Sequence, residues 1–144
     1  MSDADAIGVG CILHWKGFKF ADGAEADKYL VIVGAKKDCN YLAIVATSRQ
    51  RERGNQPGGN PDGGYYHIPG GGKDWFPKDT WLLFEAPREI SAAEFVKEGI
   101  AKNLTVEGYL RHDIANAICN CMRKCDDVSE HHVGLLGPPA TKRG

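Results

Sequence analysis

The sequence predicts a mainly β domain that ends in helices, an α+β fold, because its hydrophobic pattern changes once along the chain. Residues 7–86 contain short apolar runs separated by Gly-rich turns, which is typical of short strands. Residues 91–125 instead repeat apolar side chains at the helical spacing of 3.6 residues. The length of 144 residues suits one domain and not two. We therefore predict a single domain over residues 1–125, followed by a flexible tail over residues 126–144.

Five short segments of the first region have strand patterns. The first shows apolar residues at every second position, and the next two are continuous apolar runs rich in β-branched side chains. A polar connection joins these two runs and predicts a hairpin. The predicted strands are residues 7–13, 29–33, 41–45, 65–68 and 80–85. Residues 49–64 contain nothing apolar, so we expect a solvated loop there.

Two helices are predicted after the strands. Ser91 and Glu94 have the spacing of a capping box, which predicts a short helix near Ser91–Glu98. A longer helix is predicted near Thr105–Cys125, because its apolar residues form one stripe and its polar residues fill the opposite face. We expect this amphipathic helix to pack its apolar stripe on the sheet.

Charge and hydropathy restrict the location and the partners. The 18 basic and 19 acidic residues give a net charge of −1, so any attraction to nucleic acid must be local. The longest uncharged apolar runs have about eight residues, far short of a bilayer span, so no membrane association is predicted. The acidic start MSDADAIG lacks the layout of a signal peptide. A cytoplasmic location is therefore predicted, and the five cysteines are expected to be free thiols.

The cysteines near the end of the chain offer zinc-type ligands. Cys119, Cys121 and Cys125 are followed closely by His131 and His132. In a helix, however, Cys121 and Cys125 share the buried stripe, whereas Cys119 points about 160° away from Cys121. We therefore predict that the cysteines bind no metal and that Cys119 is partly exposed. No metal and no cofactor are predicted for the protein.

Basic and aromatic residues are interleaved in two segments of the first region. Five basic residues oppose two acidic ones between residues 36 and 53, and residues 14–20 read HWKGFKF. Cations hold phosphates and aromatic rings stack on unpaired bases, so these segments predict a surface for single-stranded nucleic acid. A solvated loop whose aromatic side chains fold back into the core fits the same residues.

The chain resembles the MazF/PemK family over about residues 7–125. The resemblance rests on three segments in this order: Lys28–Val33 (KYLVIV), Ile44–Ser48 (IVATS) and Lys78–Leu82 (KDTWL). Members of this family are toxins of toxin–antitoxin pairs, with a small SH3-like barrel and a C-terminal helix. The resemblance implies a small β-barrel closed by an amphipathic helix. It also implies a metal-independent endoribonuclease that acts on single-stranded RNA, forms a homodimer and binds an antitoxin protein.

The resemblance also implies which residues act on RNA. Thr47 and Ser48 match the hydroxyl pair that closes the third strand of the family and would hydrogen-bond the phosphate. The Arg with which the family opens its second strand is absent; Lys28, or Arg49 beside the hydroxyl pair, would supply the cation. His14 or His67 would act as the base, since imidazole titrates in the right range. The residues expected to contact RNA are Lys16, Lys19, Arg51, Arg53 and His67.

Because the family Arg is missing, two functions stay open. One is a toxin-like ribonuclease, and the other is a non-catalytic SH3-like module that binds RNA or a protein partner. Cleavage of single-stranded RNA in EDTA distinguishes them, because only the first yields specific fragments ending in cyclic phosphate. If they are exposed, Trp75, Phe76 and Trp81 are expected to contribute to a dimer interface.

Overall fold

The structure, a computed structural model, describes residues 7–20 and 22–137, and it is mainly β with a few helices, as predicted. The strands are β1 (Cys11–Lys19), β2 (Glu25–Gly34), β3 (Tyr41–Thr47), β4 (Gly58–Asn60), β5 (Tyr65–Ile68), β6 (Thr80–Ile90) and β7 (Leu104–Tyr109). The helices are α1 (Ala92–Ile100), α2 (His112–Lys124) and α3 (Glu130–Leu135). The seven strands form one antiparallel sheet in the order β4-β5-β6-β3-β2-β1-β7. This sheet is open, with β4 and β7 at its two edges.

Strand β6 bends sharply in its middle. Its first half pairs with the end of β3 through Leu83 and Val45, and its second half pairs with the start of β3 through Arg88 and Ala43. The register shifts between these halves, and Ala86 at the bend has a φ of 50°. A bulge of this kind bends the strand and increases its twist. The two halves of β6 therefore follow different directions along β3.

Apolar side chains are buried on both faces of the sheet. Helix α2 covers one face, which we call the helix face, and packs Ile118 and Met122 against side chains such as Val31. The opposite face, which we call the cleft face, buries a second cluster that includes Leu30 and Ile90. Coverage on both sides explains why β2 contains a continuous apolar run instead of an alternating one.

The predicted helix near Thr105–Cys125 is wrong in its first part. Residues Leu104–Tyr109 form β7, which pairs with β1, and the helix begins at His112. The free edge of β1 offers hydrogen bonds to this segment, and Leu104 lies buried opposite Trp15. Tertiary pairing thus outweighs the helical spacing. The short helix is confirmed as α1, where Ser91 Oγ accepts a hydrogen bond from the Glu94 N–H at 3.0 Å.

The packed part of the chain extends past the predicted boundary at residue 125. Val128 and Leu136 are buried, and the Gly137 N–H donates to the Val33 carbonyl at 2.9 Å. The expectation of a flexible tail is therefore wrong for residues 126–137, because these apolar side chains complete the cluster beneath α2. The rest of that expectation, residues 138–144, lies outside the described residues.

Polar contacts also hold α3 on the sheet. Lys36 Nζ donates to the Gly134 carbonyl at 2.7 Å, and the Nε2 of His131 lies 2.9 Å from Glu89 Oε2. The hydrogen bond from Asn40, followed by that from His131, lowers the pKa of Glu89. Side chains from three separate parts of the chain therefore meet at this edge of α3.

Cys119 is buried, contrary to the expectation of partial exposure. It is 2% exposed, and its thiol donates to the Val33 carbonyl at 3.3 Å. The reason is that the segment ending at Gly137 covers the side of α2 that the sequence pattern leaves open to water. Cys11, Cys121 and Cys125 are buried as well, whereas Cys39 is exposed.

We expect one fast-reacting thiol in the native protein, that of Cys39. Burial raises the pKa of Cys11 to about 11 and also raises the pKa values of Cys119 and Cys121, so little reactive thiolate forms near pH 8. Titration with a chromogenic disulfide should give one rapid equivalent per chain and the other four only after unfolding. Cys39→Ser should remove the rapid phase. Two or more rapid equivalents in the parent would contradict this burial.

Candidate nucleic-acid interface

The sheet register separates the residues that the sequence predicts to form one catalytic site. His14 lies opposite Tyr29, whereas Lys28 lies opposite Trp15. Opposite residues of an antiparallel pair share a face, and neighbours along a strand alternate. His14 is therefore on the helix face, and Lys28 and Thr47 are on the cleft face. The expected convergence of these three side chains is not present.

Beyond the edge of α2, the helix face presents three rings that we call the aromatic surface: His14, Tyr29 and Trp75. The His14 and Tyr29 ring centroids are 4.9 Å apart, and the Tyr29 and Trp75 centroids are 5.4 Å apart. Tyr29 is 39% exposed, and the other two rings are half-buried. A series of accessible flat rings on a sheet is chemically suited to stacking on another planar group.

The loop before β6 fixes the position of Trp75. Phe76 is buried and contacts Trp75 edge to face at 5.0 Å, while Gly72 N–H donates to the Phe76 carbonyl at 3.0 Å. Trp75 itself has a φ of 78°, a left-handed conformation that is strained for a bulky residue. Such strain persists only where the surroundings over-determine it, and it clusters at functional sites.

Strand β7 leaves room for the indole. A Cβ atom at Gly108 would lie 2.5 Å from Nε1 and 2.7 Å from Cδ1 of Trp75. Gly108 pairs with Ile12, two residues before His14 on β1. The glycine therefore lets Trp75 lie over β7, beside the strand that carries His14.

Two exposed lysines lie close in sequence to residues of the aromatic surface. Lys16 follows His14 by two residues on β1, and Lys73 precedes Trp75 by two residues; both are exposed. Neither forms an ion pair with any residue in the described part of the chain. The surface thus combines accessible rings with two nearby lysines that form no ion pair among the described residues.

The cleft face carries a separate cleft of about 790 Å³. Its apolar lining comes mainly from Phe18, Phe20, Val45, Leu83 and Pro87. Its charged lining is balanced, with two basic and two acidic residues: Lys19, Arg88, Asp22 and Glu85.

The cations around this cleft are already engaged. Lys28 Nζ lies 5.7 Å from the Phe20 ring centroid, and Lys19 Nζ lies 3.9 Å from Glu25 Oε2. Arg88 binds Glu94 at 2.8 Å. These contacts leave the cleft mainly apolar, with no excess of free positive charge.

The basic loop after β3 is organised by its own backbone. Thr47 Oγ1 accepts a hydrogen bond from the Arg49 N–H at 3.2 Å, and the Arg53 guanidinium donates to the Arg49 carbonyl at 3.0 Å. Ser48, Arg49 and Arg51 are exposed. The hydroxyl of Thr47 and the cation of Arg53 are thus used within the loop.

His67 is not part of an accessible surface, contrary to the expectation of RNA contact. It is 2% exposed and stacks on Trp81 with ring centroids 4.7 Å apart. Its Nδ1 lies 3.2 Å from the Gln56 carbonyl, and its Nε2 lies 3.7 Å from Asp79 Oδ2. The loop after β3 packs over this ring, so the imidazole is part of the buried core at the β5 end of the sheet.

Sequence reasoning missed two of the three rings. Tyr29 starts a continuous apolar run and was assigned to the strand without a functional role, although its position opposite His14 exposes it. Trp75 was considered only as a dimer contact, together with Phe76 and Trp81, both of which are buried. Strand register, which a single sequence does not supply, was the signal that was needed.

No family model matches the chain, and no curated protein or solved structure matches it either. Among the described residues, no helix is both long enough and apolar enough to cross a membrane.

Proposed function

We propose that this protein binds single-stranded RNA on the aromatic surface. The observation that carries the proposal is the series of accessible rings of His14, Tyr29 and Trp75 on an antiparallel sheet. Unpaired bases stack on such rings, and each stacked base contributes about 1–3 kcal/mol. Single strands suit this surface because their bases are free to turn toward it, whereas a duplex hides its base faces.

The charge around the rings predicts how binding responds to salt. Lys16 and Lys73 are the cations available to neutralise phosphates, against a total charge of −1. Each neutralised phosphate of a single strand contributes about −0.7 to the slope of log K against log salt, so two give about −1.4. Stacking, which is less sensitive to salt, therefore supplies most of the affinity.

Replacing Tyr29 with alanine is expected to weaken RNA binding by about 5- to 150-fold, the equivalent of one stacked base. The measurement is fluorescence anisotropy with a labelled single-stranded RNA in EDTA. Tyr109→Ala is the matched control, because Tyr109 is an exposed tyrosine that lies opposite Cys11, on the cleft face. Equal affinity of both variants, or no binding by the parent at low salt, would overturn the proposal.

A toxin-like endoribonuclease of the MazF/PemK type is the extension of this proposal. What supports it is the place of His14 within the RNA surface, since an imidazole there could take the 2′-OH proton. Lys16 is on the same part of β1, so it would stabilise the phosphate in place of Lys28. Fragments ending in cyclic phosphate in the same EDTA assay, lost in His14→Ala, would support cleavage; bound but intact RNA would favour the non-catalytic module.

The proposal also includes a relationship to the SH3-like fold, an antitoxin as protein partner and a homodimer. The register shift of β6 at Ala86 supports a relationship to the SH3-like barrels, because bulges of this kind bend strands. The mainly apolar cleft with balanced charge favours a protein segment, such as that of an antitoxin, over RNA. Exposed apolar side chains on α1 and β7, among them Ile100 and Val106, are available to a homodimer. A cytoplasmic location also remains a proposal.

A further inference from the structure

Three metal-ligating side chains from distant parts of the sequence converge beside α3. Glu89 comes from the end of β6, and His131 and His132 are consecutive residues of α3. One ligand atom from each lies within 4.8 Å of the other two. The Nε2 atoms of His131 and His132 lie 2.9 and 3.6 Å from the same oxygen, Glu89 Oε2.

These separations match the coordination shell of a small divalent ion. Zinc binds histidine nitrogen and carboxylate oxygen at about 2.0–2.2 Å, and in a tetrahedron this places the ligand atoms about 3.3–3.5 Å from one another. The two distances from Glu89 Oε2 lie on either side of that value. A shift of a few tenths of an ångström brings each imidazole nitrogen to that separation from Glu89 Oε2, and the ligand atoms of the two imidazoles lie within 4.8 Å of each other.

Neighbouring groups orient the ligands. Asn40 Nδ2 donates to the other carboxylate oxygen, Glu89 Oε1, at 3.2 Å, which leaves Oε2 toward the two imidazoles. The Ser129 hydroxyl accepts from the His132 N–H at 3.1 Å and caps α3. The Asn40 bond is made to a ligand side chain, and outer partners of this kind fix ligand orientation in metal sites, whereas the Ser129 bond fixes the start of the helix that carries both histidines.

We propose that Glu89, His131 and His132 form a site for a divalent ion of the zinc class, which joins α3 to β6. Two imidazoles and one carboxylate form a donor set that suits zinc and the neighbouring late transition metals. The side chain of His131 is 66% exposed, so the site is open to solvent and a water molecule completes the fourth position. This proposal is independent of RNA binding, which is measured in EDTA.

The ligand set differs from the one suggested by the sequence spacing. Cys119 and Cys121 lie on the buried side of α2, Cys125 directly follows this helix, and none of the three takes part. The two histidines instead contact Glu89, a residue more than forty positions earlier. Without an ion, the same three groups form only a partly exposed polar contact, which is an ion pair when a histidine is protonated, and exposed pairs of this kind contribute about 0–1 kcal/mol. Measured metal binding therefore distinguishes a metal site from a weak polar contact between α3 and β6.

The test is isothermal titration of the full, chelator-treated chain with zinc chloride. The parent should bind one ion per chain, and Glu89→Gln, His131→Ala and His132→Ala should each weaken binding at least about tenfold. Zinc should also raise the melting temperature of the parent more than that of any of the three variants.

Two control variants test whether zinc binds at the proposed site and not at another exposed side chain. His112→Ala removes an exposed histidine of α2 outside the cluster, and Cys39→Ser removes the exposed thiol next to Asn40. Both should bind zinc like the parent. Binding weaker than about 100 μM by the parent, or equal binding by the three ligand variants, would reduce the cluster to an ion pair. Loss of binding in Cys39→Ser alone would place the zinc at the thiol and overturn the proposal.

Discussion

Replacing Gly34 with alanine is expected to lower the free energy of unfolding by about 3 kcal/mol, the upper end of the range for overpacking. A Cβ atom at this position would overlap the Leu135 carbonyl group and would lie 3.1 Å from Leu42 Cβ. Most of the obstruction is backbone, which cannot rotate away as a side chain does. The φ of Gly34 is not in the left-handed region, so the expected loss comes from space and not from conformational strain.

The neighbouring hydrogen bonds prevent the two chain segments from separating slightly. The Gly137 N–H donates to the Val33 carbonyl at 2.9 Å, and the Ala35 N–H donates to the Gly137 carbonyl at 3.4 Å. Leu136 is buried between these contacts. The added methyl group therefore forces residues 126–137 away from the sheet as a unit, and Cys119 should become reactive in the same variant.

Urea unfolding gives the stability, and hydrogen exchange gives the protection of residues 126–137. Gly134→Ala is the matched control, because a Cβ there meets nothing within 4 Å and lies on the exposed side of α3. Alanine favours a helix, so this control should be unchanged or slightly more stable. Equal stability of Gly34→Ala and Gly134→Ala would show that the C-terminal segment is not packed against β2.

Local sequence patterns predict those parts of the fold where the pattern fits only one type of secondary structure. Only Cys11–Leu13 of the predicted strand 7–13 lie in β1, because residues 7–10 precede it, whereas the runs that begin at Tyr29 and Tyr41 fall in β2 and β3 and the capping box begins α1. Strand β7 was missed because its pairing with β1 is non-local, and its short pattern also fits the first turns of a helix. The packing of residues 126–137 was missed for the same reason, since their partner, β2, is about a hundred positions away.

The candidate site was harder to predict because it depends on register. His14 and Lys28 both come from segments with the expected chemistry, yet a difference of one position in pairing places them on opposite faces. His67 has the right chemistry too, but the loop that follows β3 covers it. Composition and spacing therefore identify residue types, whereas the convergence of His14, Tyr29 and Trp75 follows only from the assembled sheet.

Replacing Gly108 with alanine is expected to weaken RNA binding about as much as removal of one stacking ring, by about 5- to 150-fold. The new Cβ would lie 2.5 Å from Nε1 of Trp75, so the indole must move off β7. No aromatic side chain is removed, and the strand itself tolerates alanine at least as well as glycine. The variant therefore tests the arrangement of the aromatic surface and not its composition.

Tryptophan fluorescence reports the displacement directly. Trp81 is buried on β6, with three strands between it and β7, and Trp15 is buried on the cleft face, opposite the face on which Gly108 meets Trp75. A change of emission in Gly108→Ala therefore comes mainly from Trp75. Gly8→Ala is the control, because a Cβ at Gly8 meets nothing within 4 Å. A shifted emission with unchanged RNA affinity would show that Trp75 is not a stacking partner. Unchanged emission with weakened RNA binding would show that the substitution acts through β7 and not through Trp75. A change in both the emission and the RNA affinity is the result we expect, because it connects the position of the strained Trp75 indole to recognition of an RNA base.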